Sequence, residues 1–71
     1  MCFHFILTAI TCDDPGTPDN GVRVLEGLVV NSVVTYQCNS GYQIQGGSLS
    51  RVCRQSGEWT GQLPSCVGMS L

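Results

Sequence analysis

The sequence predicts a small all-β module that depends on disulfides for its stability. Three observations carry this. The chain has 71 residues and five of them are cysteine. Nine glycines and three prolines punctuate it, and only about one residue in nine is charged. Its apolar residues recur at the two-residue period of half-buried strands. A chain this short holds one domain and buries too little apolar surface to be comfortably stable without a covalent or metal staple. The intervals between Cys12, Cys38, Cys53 and Cys66 are all wide, whereas zinc frameworks pair cysteines two to four residues apart, so disulfides in an oxidising, extracellular setting are the expected staple.

The chain opens with Met1 to Ile10, an apolar stretch too short to span a bilayer. It lacks both the charged start and the small-residue cleavage site of a secretory signal. Residues 1–11 are therefore read as either a truncated signal or a leftover of a preceding region, and residues 67–71 as a C-terminal tail. Cys2 is the odd thiol. Its pairing with another chain, or its persistence as a free thiol, is left open at this stage.

From Cys12 the composition changes. Asp13 to Gly21 contains two prolines, two glycines and an Asn-Gly pair, which predicts an extended or turning segment and excludes helix. Val22 to Val34 reads as two short strands with bends at Gly27 and Asn31-Ser32. Val33 to Cys38 (Val-Val-Thr-Tyr-Gln-Cys) is the clearest strand, with Val34, Tyr36 and Cys38 on one face. Asn39-Ser40-Gly41 supplies a turn in which Gly41 takes positive φ. Gln43-Ile44-Gln45 forms a strand ending at Gly46-Gly47. Leu49 to Cys53 alternates again, its odd positions sharing the face of Cys53. A turn at Arg54 to Gly57, the single tryptophan Trp59, and an extended run to Cys66 complete the chain.

Charge narrows the partners. There is no lysine, and three arginines stand against five acids, for a net charge of −2. Nucleic acid and other polyanions need clustered cations, and Arg51 and Arg54 flanking Cys53 are too few. Asp13, Asp14 and Asp19 lack the regular spacing and closing glutamate of a calcium loop, so they read as solvated turn residues. No cofactor is expected. Asn31-Ser32-Val33 and Asn39-Ser40-Gly41 each have the wrong third residue for N-glycosylation.

Cys12, Pro15, Asn20-Gly21, Tyr36-x-Cys38-x-x-Gly41-Tyr42-x-Ile44-x-Gly46, Cys53, Gly57-x-Trp59 and Pro64-x-Cys66 together resemble a sushi domain, also called a complement control protein module or short consensus repeat. The resemblance covers residues 12–66, and Thr11 to Gly21 is also similar to the repeats of large proteins that alternate CUB and sushi domains. It implies an elongated antiparallel β-sandwich of short strands. It further implies Cys12 paired with Cys53 and Cys38 with Cys66, a choice that counting alone leaves among about fifteen arrangements. Tyr36, Tyr42 and Trp59 are expected in the core, with Trp59 between the bridges, where truncation to alanine would cost about 3–5 kcal/mol. Leu28 stands where these modules usually carry phenylalanine, as a core filler. The interval from Gly41 to Cys53 is one residue longer than is frequent, which Gly46-Gly47 absorbs as a bulge.

For function, the resemblance implies an extracellular protein-protein interaction module of the complement-regulation or adhesion type, secreted or in a membrane protein's ectodomain. The partners would be other extracellular proteins or neighbouring CUB or sushi domains, with no direct membrane contact. Two alternatives stand beside it: a spacer repeat with no ligand, and an accessory module of an extracellular protease. Catalysis is not expected, because the only histidine, His4, lies in the apolar N-terminal stretch. Candidate contact residues are Leu25, Glu26, Arg51 and Arg54. Leu25, Leu28 and Val29 either form a protein-facing patch beside Glu26 or fill the core.

Overall fold

The computed structural model describes residues 10–69; Cys2 and His4 lie outside them. The described residues form five short strands and no helix: β1 (Gly21–Leu25), β2 (Val33–Cys38), β3 (Tyr42–Gln45), β4 (Ser50–Val52) and β5 (Ser65–Gly68). These make two antiparallel sheets, one of three strands in the order β1-β2-β4 and one of two, β3-β5. β2 is the central strand of the larger sheet. Its register sets Tyr36 opposite Arg23 and Val34 opposite both Leu25 and Arg51.

Alternation along β2 decides where the core lies. Val34 and Tyr36 are fully buried, while Thr35 and Gln37 face solvent. The inner face of the sheet closes over the segment that follows Cys12. Pro15 is buried there, and its carbonyl accepts from the Arg51 guanidinium at 3.1 Å and, at a longer 3.5 Å, from the Tyr36 hydroxyl. The proline-rich entry segment thus acts as the layer that covers the three strands. A two-layer core needs something on the second side, and with no helix among the described residues this segment supplies it.

Turn chemistry sets the remaining geometry. Asn20 and Asn31 take positive φ of 61° and 73°, which asparagine tolerates better than most side chains. Asn31 and Ser32 lock the β1–β2 loop onto Cys53: Asn31 N–H donates to the Cys53 carbonyl at 2.8 Å, and Cys53 N–H returns to the Ser32 carbonyl at 2.9 Å. Gly46 and Gly47 both have positive φ, and a side chain on Gly47 would overlap the Pro64 backbone. They form a bend after β3. The β3-β5 ladder runs from Tyr42–Gly68 to Gln45–Ser65 with no skipped partner, so the pair is a turn and not the bulge expected from the sequence.

Both ends of the folded region reach past the boundaries read from the sequence. Thr11 bridges Val29, and the Ile10 carbonyl accepts from Val30 N–H at 3.2 Å, so the chain joins the fold just before Cys12. At the other end, Val67 and Gly68 continue β5 beyond Cys66, pairing with Gln43 and Tyr42.

Candidate protein-facing surface

Two disulfides hold the molecule, Cys12–Cys53 and Cys38–Cys66, spanning 41 and 28 residues of sequence. They sit at opposite ends of β2: Cys38 is its last residue, and Cys53 is bonded to Ser32, just before its first. Six strand residues separate them by roughly 20 Å. Surfaces beyond this frame are those available to a partner.

Of the three aromatic residues expected in the core, only Tyr36 is buried, at 2% exposure. Tyr42 is half-buried because it belongs to the two-stranded sheet, which has no third strand beside it. Trp59 is also half-buried. It bridges Cys53 across the strand ladder, and its indole N–H donates to the Asp13 carbonyl at 2.7 Å, so one ring edge is used as a polar clasp at the surface. The core reading of Tyr42 and Trp59 is corrected accordingly.

The four candidate contact residues separate. Arg51 is committed internally: its Nε donates to the Thr60 carbonyl at 2.7 Å and its guanidinium to Pro15, so it ties β4 to two loops and is not a partner-facing cation. Arg54 is exposed, in a turn closed by Gly57 N–H donating to its carbonyl at 2.9 Å. Leu25 ends β1 half-buried. Glu26 is exposed, and its carboxylate accepts from Val33 N–H at 3.3 Å, which stiffens the start of the β1–β2 loop. Leu28, expected as a core filler, is 39% exposed, and Val29 is 48% exposed. Hydrogen bonding holds them outward: the Leu28 carbonyl accepts from Cys12 N–H at 2.7 Å, and Val29 bridges Thr11. Ile10, paired alongside, is 45% exposed.

One ion pair escaped the sequence reading. Arg23, on the inner face of β1, grips Asp14 with both terminal nitrogens, one of them at 3.2 Å. That hydrogen bond, with another from Gly16 N–H at 2.8 Å, holds the Asp14 carboxyl below the usual aspartate range. The same contact raises the Arg23 pKa further. The signal was the alternation Gly-Val-Arg-Val-Leu, which turns Arg23 to the side opposite Val22 and Val24, toward the entry segment.

Among the described residues, no three histidine, cysteine or acidic side chains come together as a group able to hold a metal. An open cleft of about 430 Å³ lies between Thr17–Asn20 and Leu63–Cys66. Its side chains are proline, leucine, hydroxyl and amide groups with one carboxylate, Asp19, and a disulfide sulfur, without a base positioned to activate a nucleophile.

A two-sheet, helix-free module clamped at both ends of its central strand by disulfides defines a class of small disulfide-stapled β domains. Comparison with known proteins makes this specific: the chain belongs to the sushi repeat (SCR repeat) family, whose model matches residues 12–66. It is 35% identical over 71 residues to a bovine protein named inactive serine protease PAMR1, covering 87% of this chain and 10% of that protein. It is 45% identical over 58 residues to rat sushi, von Willebrand factor type A, EGF and pentraxin domain-containing protein 1, covering 82% of this chain and 2% of that protein. Human fibulin-7 is 36% identical over 61 residues, covering 86% of this chain and 14% of fibulin-7. The chain thus spans a small fraction of the length of the curated relatives it matches. A sushi repeat is a non-catalytic module, found in these relatives within much longer multidomain proteins.

Proposed function

We propose that this chain is an extracellular protein-protein interaction module of a larger secreted or membrane-anchored protein, of the complement-regulation or adhesion type. The observation that carries the reading is the exposure of Ile10, Leu28 and Val29, three large apolar side chains on two paired segments, between 39% and 48% exposed. A small domain with so little core gains by burying such residues itself. Their fixed exposure beside the charged Glu26 fits an apolar centre with a polar rim, the anatomy of a protein contact.

The partner is a neighbouring domain or a separate extracellular protein. The bovine relative's name, inactive serine protease, makes an accessory module of a protease-like protein the second reading. Binding of the wild-type chain and of Leu28→Ser with Val29→Ser to a panel of extracellular domains, including the domains that flank it in its full-length protein, tests the proposal. Loss of a specific interaction in the double variant, with its melting temperature retained, supports the module as a binder. Equal binding by both removes Leu28 and Val29 from the contact, and none by either assigns the module to the spacer class.

A further inference from the structure

A second surface does not depend on that reading: the free edge of β1. β1 is an outer strand of the three-stranded sheet, so its backbone faces β2 on one side, and among the described residues no strand pairs with the other. The phase of the ladder follows from Glu26 N–H, which donates to the Val33 carbonyl at 3.1 Å. Counting back in steps of two, Val24 and Val22 exchange bonds with Thr35 and Gln37, and the N–H and C=O groups of Arg23 and Leu25 turn toward the open edge. Among the described residues these groups have no backbone partner. The opposite edge of the sheet differs. There Thr60 closes β4, donating its N–H to the Val52 carbonyl at 2.9 Å and accepting from Val52 N–H at 3.0 Å on its hydroxyl.

One edge group of β1 is taken, the Gly21 N–H that donates to the Pro18 carbonyl at 3.2 Å, and the rest of the edge is unguarded. Gly21–Leu25 contains no proline, no lysine and no bulge, the usual devices against edge pairing. Its one charge, Arg23, points to the inner face and is neutralised by Asp14. On the outer face Val22 and Val24 are 47% and 63% exposed.

We propose that two copies of this chain join edge to edge through β1, extending the sheet across both. The strand is self-complementary. Laid antiparallel about Arg23, each copy sets Gly21 opposite Leu25 and Val22 opposite Val24, giving two valine pairs on the solvent face at cross-strand contact distance. Arg23 meets its counterpart as a hydrogen-bonded pair, and because each arginine already holds Asp14, the joint carries an alternating set of four charges and not two bare cations. A five-residue strand pair falls well short of the roughly 800 Å² per partner of stable complexes, so isolated modules associate in about the millimolar range. Display of many copies on one surface raises the local concentration and strengthens the joint.

The full chain carrying Cys2→Ser, which prevents covalent dimers through that thiol, is to be followed by NMR from about 50 μM to about 2 mM, a range that brackets the expected affinity. The expected result is a fall in the diffusion coefficient together with concentration-dependent amide shifts largest at Arg23 and Leu25. Val24→Lys and, separately, Val22→Lys replace exposed side chains and should abolish both changes at an unaltered melting temperature. Constant diffusion over the range, shifts centred away from β1, or association that survives both lysine variants would overturn the proposal. None of these outcomes bears on binding through Leu28 and Val29, which lie in the β1–β2 loop.

Discussion

The two disulfides anchor opposite ends of β2 in unlike surroundings. At Cys12–Cys53, 3% and 0% exposed, Ser32 is buried and a loop is bonded to Cys53 through both its N–H and its carbonyl, and the three-stranded sheet that this bridge anchors buries Val34 and Tyr36 against Pro15. Around Cys38–Cys66, Cys66, Pro18 and Pro64 are buried, but Cys38, Tyr42, Ile44 and Val67 are half-exposed in or beside a sheet of two strands. The difference arises from what each sheet has to pack against. Three strands covered by the entry segment enclose a core, and two strands alone are marginal in water. The first half of the molecule holds the second through one covalent bond and a few turn contacts, such as the Tyr42 N–H bonded to the Asn39 carbonyl at 3.0 Å.

Breaking each bridge in turn gives the largest expected effects. In the chain-entropy picture either loop closure stabilises by about 4 kcal/mol, so closure alone does not distinguish them. Burial does. Cys12→Ala with Cys53→Ala also opens the core and should unfold the module, whereas Cys38→Ala with Cys66→Ala should leave the three-stranded sheet folded and fray β3 and β5, as circular dichroism and amide spectra would report. In mild thiol reductant, alkylation and mass mapping should find Cys38 and Cys66 labelled first, because the sulfurs of the other bridge are shielded.

Next come the aromatic residues. Tyr36→Ala empties a fully buried site and should cost about 3–5 kcal/mol in denaturant unfolding. Trp59→Ala removes a half-buried ring and one hydrogen bond, and about 1–2 kcal/mol is expected, less than its place in the family implied. Equal costs would contradict the burial difference between them. Arg51→Met keeps the aliphatic stem but leaves the Thr60 carbonyl unpaired and the Pro15 carbonyl with only the long Tyr36 bond, for a loss of about 1.5–3 kcal/mol.

The smallest effect belongs to the exposed Asp14–Arg23 pair. The folded-state pKa of Asp14 lies below its unfolded value, so its contribution is present above that unfolded value, at about pH 4, and disappears as pH falls through the folded one. Thermal unfolding from neutral pH into this acid range should show a slightly steeper decline for the wild type than for Asp14→Asn. Parallel curves would show that the pair contributes nothing measurable.

The sequence disclosed the stronger half of the fold better than the weaker. β2 was legible because Val34, Tyr36 and Cys38 alternate with polar residues and their burial follows that alternation. The turn at Asn39 to Gly41 followed from residue chemistry. Trp59 was misplaced because hydrophobicity and size cannot report that an indole N–H is bonded to Asp13 at the surface. Arg51 was misread for a related reason: its acceptors, the Thr60 and Pro15 carbonyls, are backbone groups that no side-chain pattern marks, and Pro15 lies 36 residues away. Leu28 was assigned to the core by its type, but the hydrogen bond of its own carbonyl to Cys12 turns its side chain outward. Exposure of Leu28 and Val29 was one of two readings that the sequence left open, and the fold decides for it.

Native-state hydrogen exchange tests the central claim most directly, since the amides of Val34 and Tyr36 report the Cys12–Cys53 half and those of the β3–β5 ladder report the other. The account requires Val34 and Tyr36 to exchange only through global unfolding, and the β3–β5 amides to exchange through a lower-energy local opening that spares the first group. Uniform protection across both sheets, or a β3–β5 ladder that outlasts β2, would contradict it.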